Sequence, residues 1–135
     1  MATMTAMLMR AAGAPDVLEA ARVPVPEPGA HDLLVRVHAA GVNPLDTKIR
    51  KLHFMYPEHL PAILGCDGAG VVERVGSGAT RFRPGDEVYF FNGGLGREPG
   101  TYAQYTVVDA AHVARKPKRL SMTDAAAIPL VTITA

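Results

Sequence analysis

Few residues in this sequence are able to do chemistry, and their types exclude more than they allow. Cys66 is the only cysteine in 135 residues, so no disulfide can form within the chain, in keeping with a reducing compartment. A structural zinc takes four protein ligands, commonly clustered cysteines, and a catalytic zinc takes three with one position open. Cys66 stands alone, followed by one carboxylate, Asp67. As a nucleophile it lacks an evident basic neighbour to lower its pKa. His38 has no carboxylate or second histidine at a pairing spacing and reads as a surface or rim histidine. Gly93-Gly94-Leu95-Gly96 invites a phosphate-loop reading, but neither Lys-Ser nor Lys-Thr follows and no helix begins there. Residues 53–61 form a loop bearing Phe54, Met55 and Tyr56, which either roofs a pocket or covers one end of the domain.

The elements that carry these residues read as short strands. Residues 32–40 give the clearest one: Leu33, Val35, Val37 and Ala39 alternate with Leu34, Arg36, His38 and Ala40, the period of a sheet with one face buried. Residues 65–88 are too rich in glycine for a helix. Within them Val71, Glu73 and Val75 alternate with Val72 and Arg74, Gly76-Ser77-Gly78 reads as a turn, and Pro84-Gly85 as a type II turn. Gly65, Gly68 and Gly70 crowd the start of that strand, where either another backbone or a ligand comes close. Further strands are expected over 5–12, 17–23, 87–91 and 101–108, the first two joined by a turn at Gly13-Ala14-Pro15-Asp16.

Two helices are expected. Asn43-Pro44-Leu45-Asp46 is a helix start, with Asn as cap, Pro at the first position and Asp at the favourable end of the dipole. Leu45, Ile49 and Leu52 then share one stripe. Ser121 caps the second helix with Asp124 three residues on, and residues 124–135 carry no charge after Asp124. A helix apolar all round is buried in a larger protein, and Pro129 either kinks it or restarts it. The expectation is that this element leads into a second domain.

Bulk properties narrow the partners. A net charge of +1 supplies no basic field for nucleic acid or an anionic membrane. The apolar N-terminus lacks a basic leader, and no run approaches the roughly 20 residues needed to span a bilayer. The reading is a cytoplasmic protein without membrane or nucleic-acid partners.

Several ordered motifs also carry a resemblance. Gly65-Cys66-Asp67-Gly68-Ala69-Gly70-Val71-Val72, then Val75-Gly76 and Pro84-Gly85-Asp86-Glu87-Val88, resemble the signature of the catalytic domain of medium-chain dehydrogenase/reductases. Gly13-Ala14-Pro15-Asp16-Val17-Leu18, and Ala39-Ala40-Gly41-Val42-Asn43-Pro44-Leu45-Asp46 with Arg50, resemble its zinc-free quinone oxidoreductase branch. The resemblance implies a mainly β fold, a partly open GroES-like barrel with short helices over residues 1–120. Residues 121–135 would begin the helix connecting to a dinucleotide-binding domain whose glycine fingerprint is not in this sequence.

The resemblance also assigns roles. In the zinc enzymes of this superfamily the position of Asn43 is a cysteine ligand, that of Cys66 a histidine ligand, that of Asp67 an acid, and that of Leu45 a Ser or Thr beginning a proton relay. Three departures point away from zinc, and Cys66 with Asp67 would need a further ligand from beyond residue 135. Without a metal, direct hydride delivery suits an acceptor already electron-poor, a quinone or conjugated carbonyl. Asn43 would lie beside the nicotinamide, orienting it or the substrate carbonyl, and Tyr56 would meet the substrate. Thr134 would approach the nicotinamide end of the cofactor; read from the residues alone, it bonds its own helix backbone. NADPH as cofactor, and a homodimeric parent, are carried over from the family. The chain by itself is expected to be inactive. Two alternatives stay open, a zinc-dependent alcohol dehydrogenase-like enzyme and a non-enzymatic, free-standing GroES-like binding module.

Overall fold

The computed structural model describes residues 2–52, 60–92 and 99–135. In chain order its elements are β1 (Thr3–Met9), β2 (Leu18–Pro24), β3 (Asp32–Ala40), α1 (Pro44–Leu52), β4 (Ala62–Ile63), β5 (Asp67–Val75), β6 (Glu87–Phe91), β7 (Tyr105–Asp109), β8 (Val113–Arg115), α2 (Met122–Ala126) and α3 (Pro129–Thr134). The strands form two antiparallel sheets, β2-β1-β4 and β7-β3-β5-β6-β8, which do not close into a complete barrel. The mainly β fold with short helices agrees with the expected partly open GroES-like domain. Among the described residues no helix is long and apolar enough to cross a membrane.

The larger sheet is held by an apolar core of Leu33, Val35, Val72, Val88, Phe90 and Val108, all at most 2% exposed. Burial of such side chains is the main driving force of the fold. The alternation expected along β3 is not kept: Leu33, Leu34 and Val35 are all buried, because pairing with β5 slips between Leu34 and Val35. Gly65, Gly68 and Gly70, crowded at the start of β5, meet protein. A Cβ on Gly70 would run into the Arg36 carbonyl across the β3–β5 ladder, so the neighbour there is backbone. Gly85 has φ +96° in a turn closed by Asp86 N donating to Arg83 O at 3.2 Å, as a type II turn requires.

Other boundaries move for local reasons. β1 stops at Met9 rather than residue 12, and β2 begins at Leu18 after a single 3-10 turn at Pro15–Val17. The strand expected over 101–108 is regular only from Tyr105. Residues 101–104 turn aside to stitch the two sheets: Met7 N donates to Tyr102 O (2.9 Å), and Val37 N to Gln104 O (2.8 Å). The stripe on α1 is also shorter than expected. Ile49 is 1% exposed but Leu52 is 66% exposed, and Asp46 takes the second buried position of the helix. The terminal helix is two helices. Ser121 Oγ accepts from Asp124 N at 3.0 Å to start α2, and Pro129 restarts the chain as α3.

Candidate functional site

Asn43, Asp46 and Asp67 are each at most 7% exposed and are joined in one hydrogen-bonded network. Asp46 lies three residues after Asn43, so its carboxylate folds back over the start of α1. There Asp46 Oδ2 accepts from Asn43 N at 2.9 Å, the return half of a capping box. Oδ1 reaches the turn that enters β5, accepting from Gly65 N at 3.2 Å and from the Cys66 thiol at 3.5 Å. One buried carboxylate therefore ties the first turn of α1 to the turn that enters β5.

Asp67 opens β5 and is fully buried. Its Oδ1 accepts from Asn43 Nδ2 at 3.0 Å and its Oδ2 from Leu130 N, near the start of α3, at 3.0 Å. Its backbone carbonyl takes the Thr101 hydroxyl at 2.9 Å and Gly41 N at 3.0 Å. Burial pushes the Asp67 carboxyl above the usual carboxylate range, the bonds from Leu130 and Asn43 pull it back, and the charge of Asp46 pushes it up again. Gly41 is required here: a Cβ would run into Asp67 Oδ1 and come within 2.9 Å of the Ala126 carbonyl. Below the network, Ala69 packs on Ala125 and Ala126, letting α2 sit close against β5. Tyr102, half-buried beside Asp46, is held protonated, chiefly by burial and then by the Asp46 charge and a hydrogen bond between them.

The residues singled out in the sequence fare differently. Asn43 sits in the network, but its side chain donates to Asp67 and makes no cap bond of its own; the cap is supplied by Asp46. Cys66 is fully buried beside Asp46. Thr134 Oγ1 donates to Leu130 O at 2.9 Å, the self-bonding geometry expected from the residues alone, on an exposed face. Tyr56 lies outside the described residues. His38 is exposed on β3. Arg50 and Gly13, quoted together as motif residues, do meet: Arg50 Nη1 donates to Gly13 O at 2.5 Å and Gly13 N to Arg50 O at 2.9 Å. Sequence reading missed the centrality of Asp46 and Tyr102. Only the Asn43–Asp46 spacing signalled any of it.

Among the described residues no three of His, Cys, Asp and Glu come together as a metal ion would need. An apolar cleft of about 370 Å³ lies elsewhere, between β6, β8 and α3, lined by Tyr89, Phe91, Val113, Pro129 and Ile133.

The sequence profile of the alcohol dehydrogenase GroES-like domain matches residues 29–118. The chain belongs to that family. It is thus an N-terminal part of the medium-chain dehydrogenase/reductase superfamily, as its motifs implied. A zinc-type alcohol dehydrogenase-like protein of Staphylococcus aureus is 42% identical over 110 residues, which cover 82% of this chain and 31% of the relative. The structure of the quinone oxidoreductase from Coxiella burnetii superposes with a TM-score of 0.91 at 31% identity, covering 98% of this chain and 43% of that one. A mycobacterial structure complexed with NADPH gives a TM-score of 0.84 at 33% identity, covering 97% of this chain and 38% of that one. This GroES-like domain spans about a third of the length of the curated relatives it matches.

Proposed function

We propose that this GroES-like domain is the N-terminal catalytic part of an NADPH-dependent quinone oxidoreductase or enone reductase that transfers hydride directly, without zinc. The observation that carries the reading is the use to which the zinc-site positions are put. Asn43 is engaged with Asp67, and the Cys66 thiol is sealed beside Asp46. An amide and a thiol already serving as hydrogen-bond donors do not fit a zinc ion. Residues 121–135 are then the start of the element that leads into a dinucleotide-binding domain, which would hold most of the cofactor, and the parent is a cytoplasmic homodimer.

Within that reading the cofactor supplies the hydride, and the protein supplies position. Asn43 is held at two points, backbone N–H on Asp46 and side-chain Nδ2 on Asp67. A group fixed in this way can orient a flat ring without reorganising, which is how positioning lowers a barrier. Tyr56 is proposed to meet the acceptor, a quinone or a conjugated carbonyl. Thr134 would serve the nicotinamide end only by turning its hydroxyl away from the Leu130 carbonyl.

The full-length gene product tests this. It should oxidise NADPH when a quinone is supplied, hold no stoichiometric zinc, and keep its rate in the presence of a chelator. Stoichiometric zinc together with loss of activity to chelator would replace this reading with that of a zinc-type alcohol dehydrogenase.

A further inference from the structure

The two ends of the Asn43 side chain have the same shape and opposite chemistry: Nδ2 only donates and Oδ1 only accepts. Which end turns inward depends on what it meets. It meets Asp67 Oδ1 at 3.0 Å, in a carboxyl whose two oxygens both serve as acceptors, so Nδ2 faces in. Asp67 is not free to rotate away, since its other oxygen holds Leu130 N at 3.0 Å. Asn43 is not free to slide, since its own N–H is on Asp46 Oδ2 at 2.9 Å. The Gly41 backbone closes the remaining side so tightly that a Cβ there would strike Asp67 Oδ1. The end of the amide left over is Oδ1, an acceptor with no partner among the described residues. It is also not sealed in: the one buried side-chain polar atom without a partner among them is Asn92 Oδ1.

We propose that Asp67 is a positioning residue that fixes the polarity of the Asn43 amide, so that Asn43 recognises a hydrogen-bond donor, of the primary carboxamide kind that nicotinamide carries, and not a carbonyl oxygen. The inference rests on the reading of Asn43 as a cleft residue. It resolves the choice between the nicotinamide and the substrate carbonyl in favour of the first. It also ties that recognition to α3 through the shared carboxylate, because the Leu130 bond is what keeps Asp67 in place.

Asp67→Asn reverses the arrangement with almost no change of shape. The new side-chain oxygen stays on Leu130 N, its NH2 group then faces Asn43, and Asn43 must turn over and expose Nδ2. The test uses the full-length protein and two reduced dinucleotides, NADPH and its 3-acetylpyridine analogue. The analogue keeps the carbonyl but has a methyl group where the carboxamide has NH2. The unaltered protein should bind NADPH about tenfold more tightly than the analogue, the worth of one hydrogen bond to a fixed acceptor. In Asp67→Asn the ratio of dissociation constants should fall to about one. Should that variant not fold, Asn43→Ala leaves the Asp67–Leu130 bond in place and should give the same ratio. An unchanged ratio in a folded variant, or a ratio already near one in the unaltered protein, overturns the role of Asp67 and leaves the proposed function standing. Failure of the unaltered protein to bind either dinucleotide overturns the proposed function and this inference with it.

Discussion

Beyond Gly70, β5 behaves as an ordinary half-buried strand: Val72 is buried, Glu73 and Arg74 are exposed, and Val71 and Val75 are intermediate. Before it, residues Asp67, Gly68, Ala69 and Gly70 are all buried, with no alternation. The first half is held by polar bonds to Asn43, Thr101 and Leu130 and by close contact with α2. The second half belongs to the apolar core with Val35, Val88 and Phe90. The difference teaches where tolerance lies. Apolar packing degrades by degrees with lost volume. A buried polar network fails when one acceptor is removed, because each donor left behind keeps its full desolvation cost.

The largest effect should come from the core half. Phe90→Ala removes a ring that is 1% exposed and should cost about 3–5 kcal/mol in urea unfolding, with an unchanged slope. A loss below about 1 kcal/mol would mean that the core is not closed around β6. The polar half comes next. Asp46→Ala strands Asn43 N and Gly65 N at once and removes the acceptor beside the Cys66 thiol, and should cost about 2–3 kcal/mol. Asp46→Asn, which can still accept but has one oxygen in place of two, should fall between the unaltered protein and Asp46→Ala. Equal losses for the two variants would show that packing volume, and not acceptance, is what Asp46 contributes.

A smaller effect separates the halves by pH. The Asp67 carboxyl is pushed above 3.8 in the folded protein, chiefly by burial, so the folded state binds its proton more tightly than the unfolded state does. Its contribution to stability is therefore fully present below about pH 3.8 and is lost as pH rises through the folded pKa. The stability of the unaltered protein relative to Asp67→Asn should rise on acidification from neutral pH towards pH 4. Phe90→Ala carries no titrating group, and its difference from the unaltered protein should stay flat across the same range. A relative stability that falls on acidification would place the Asp67 carboxyl below its ordinary range and contradict its burial.

This contrast also explains what could be read from the sequence. β6 and β3 were legible in their bounds, because short runs rich in β-branched and aromatic residues read as strands, but the alternation read along β3 is broken where it slips against β5. The start of α1 was legible from Asn43-Pro44-Leu45-Asp46, but the bond that caps it runs from Asn43 N to the Asp46 carboxylate and not from the Asn43 side chain. The Asp67–Leu130 bond spans 63 residues and joins a side chain to a backbone N–H, so no local pattern announces it. Tyr102 read as a strand residue because nothing nearby shows that 101–104 leave the ladder to bond β1 and β3. Buried polar geometry is a property of the assembled elements, and only its anchors leave local traces.

The smallest effect concerns the exposed side of the same junction. Leu130 is bound to Asp67, while its neighbours Val131 and Ile133 are 54% and 68% exposed, as is Val42, at 76%, next to Asn43. An exposed side chain loses little water contact on folding, so Ile133→Ser in the 135-residue chain should change stability by no more than about 0.5 kcal/mol. If residues 121–135 lead into a second domain that covers this face, the same substitution in the full-length protein removes buried apolar area. It should then cost about 1–3 kcal/mol at roughly 25 cal/mol per Å². The two urea titrations, made side by side, read the difference directly. Equal small effects in both would show that the Ile133 face of α3 stays open to solvent in the full-length protein.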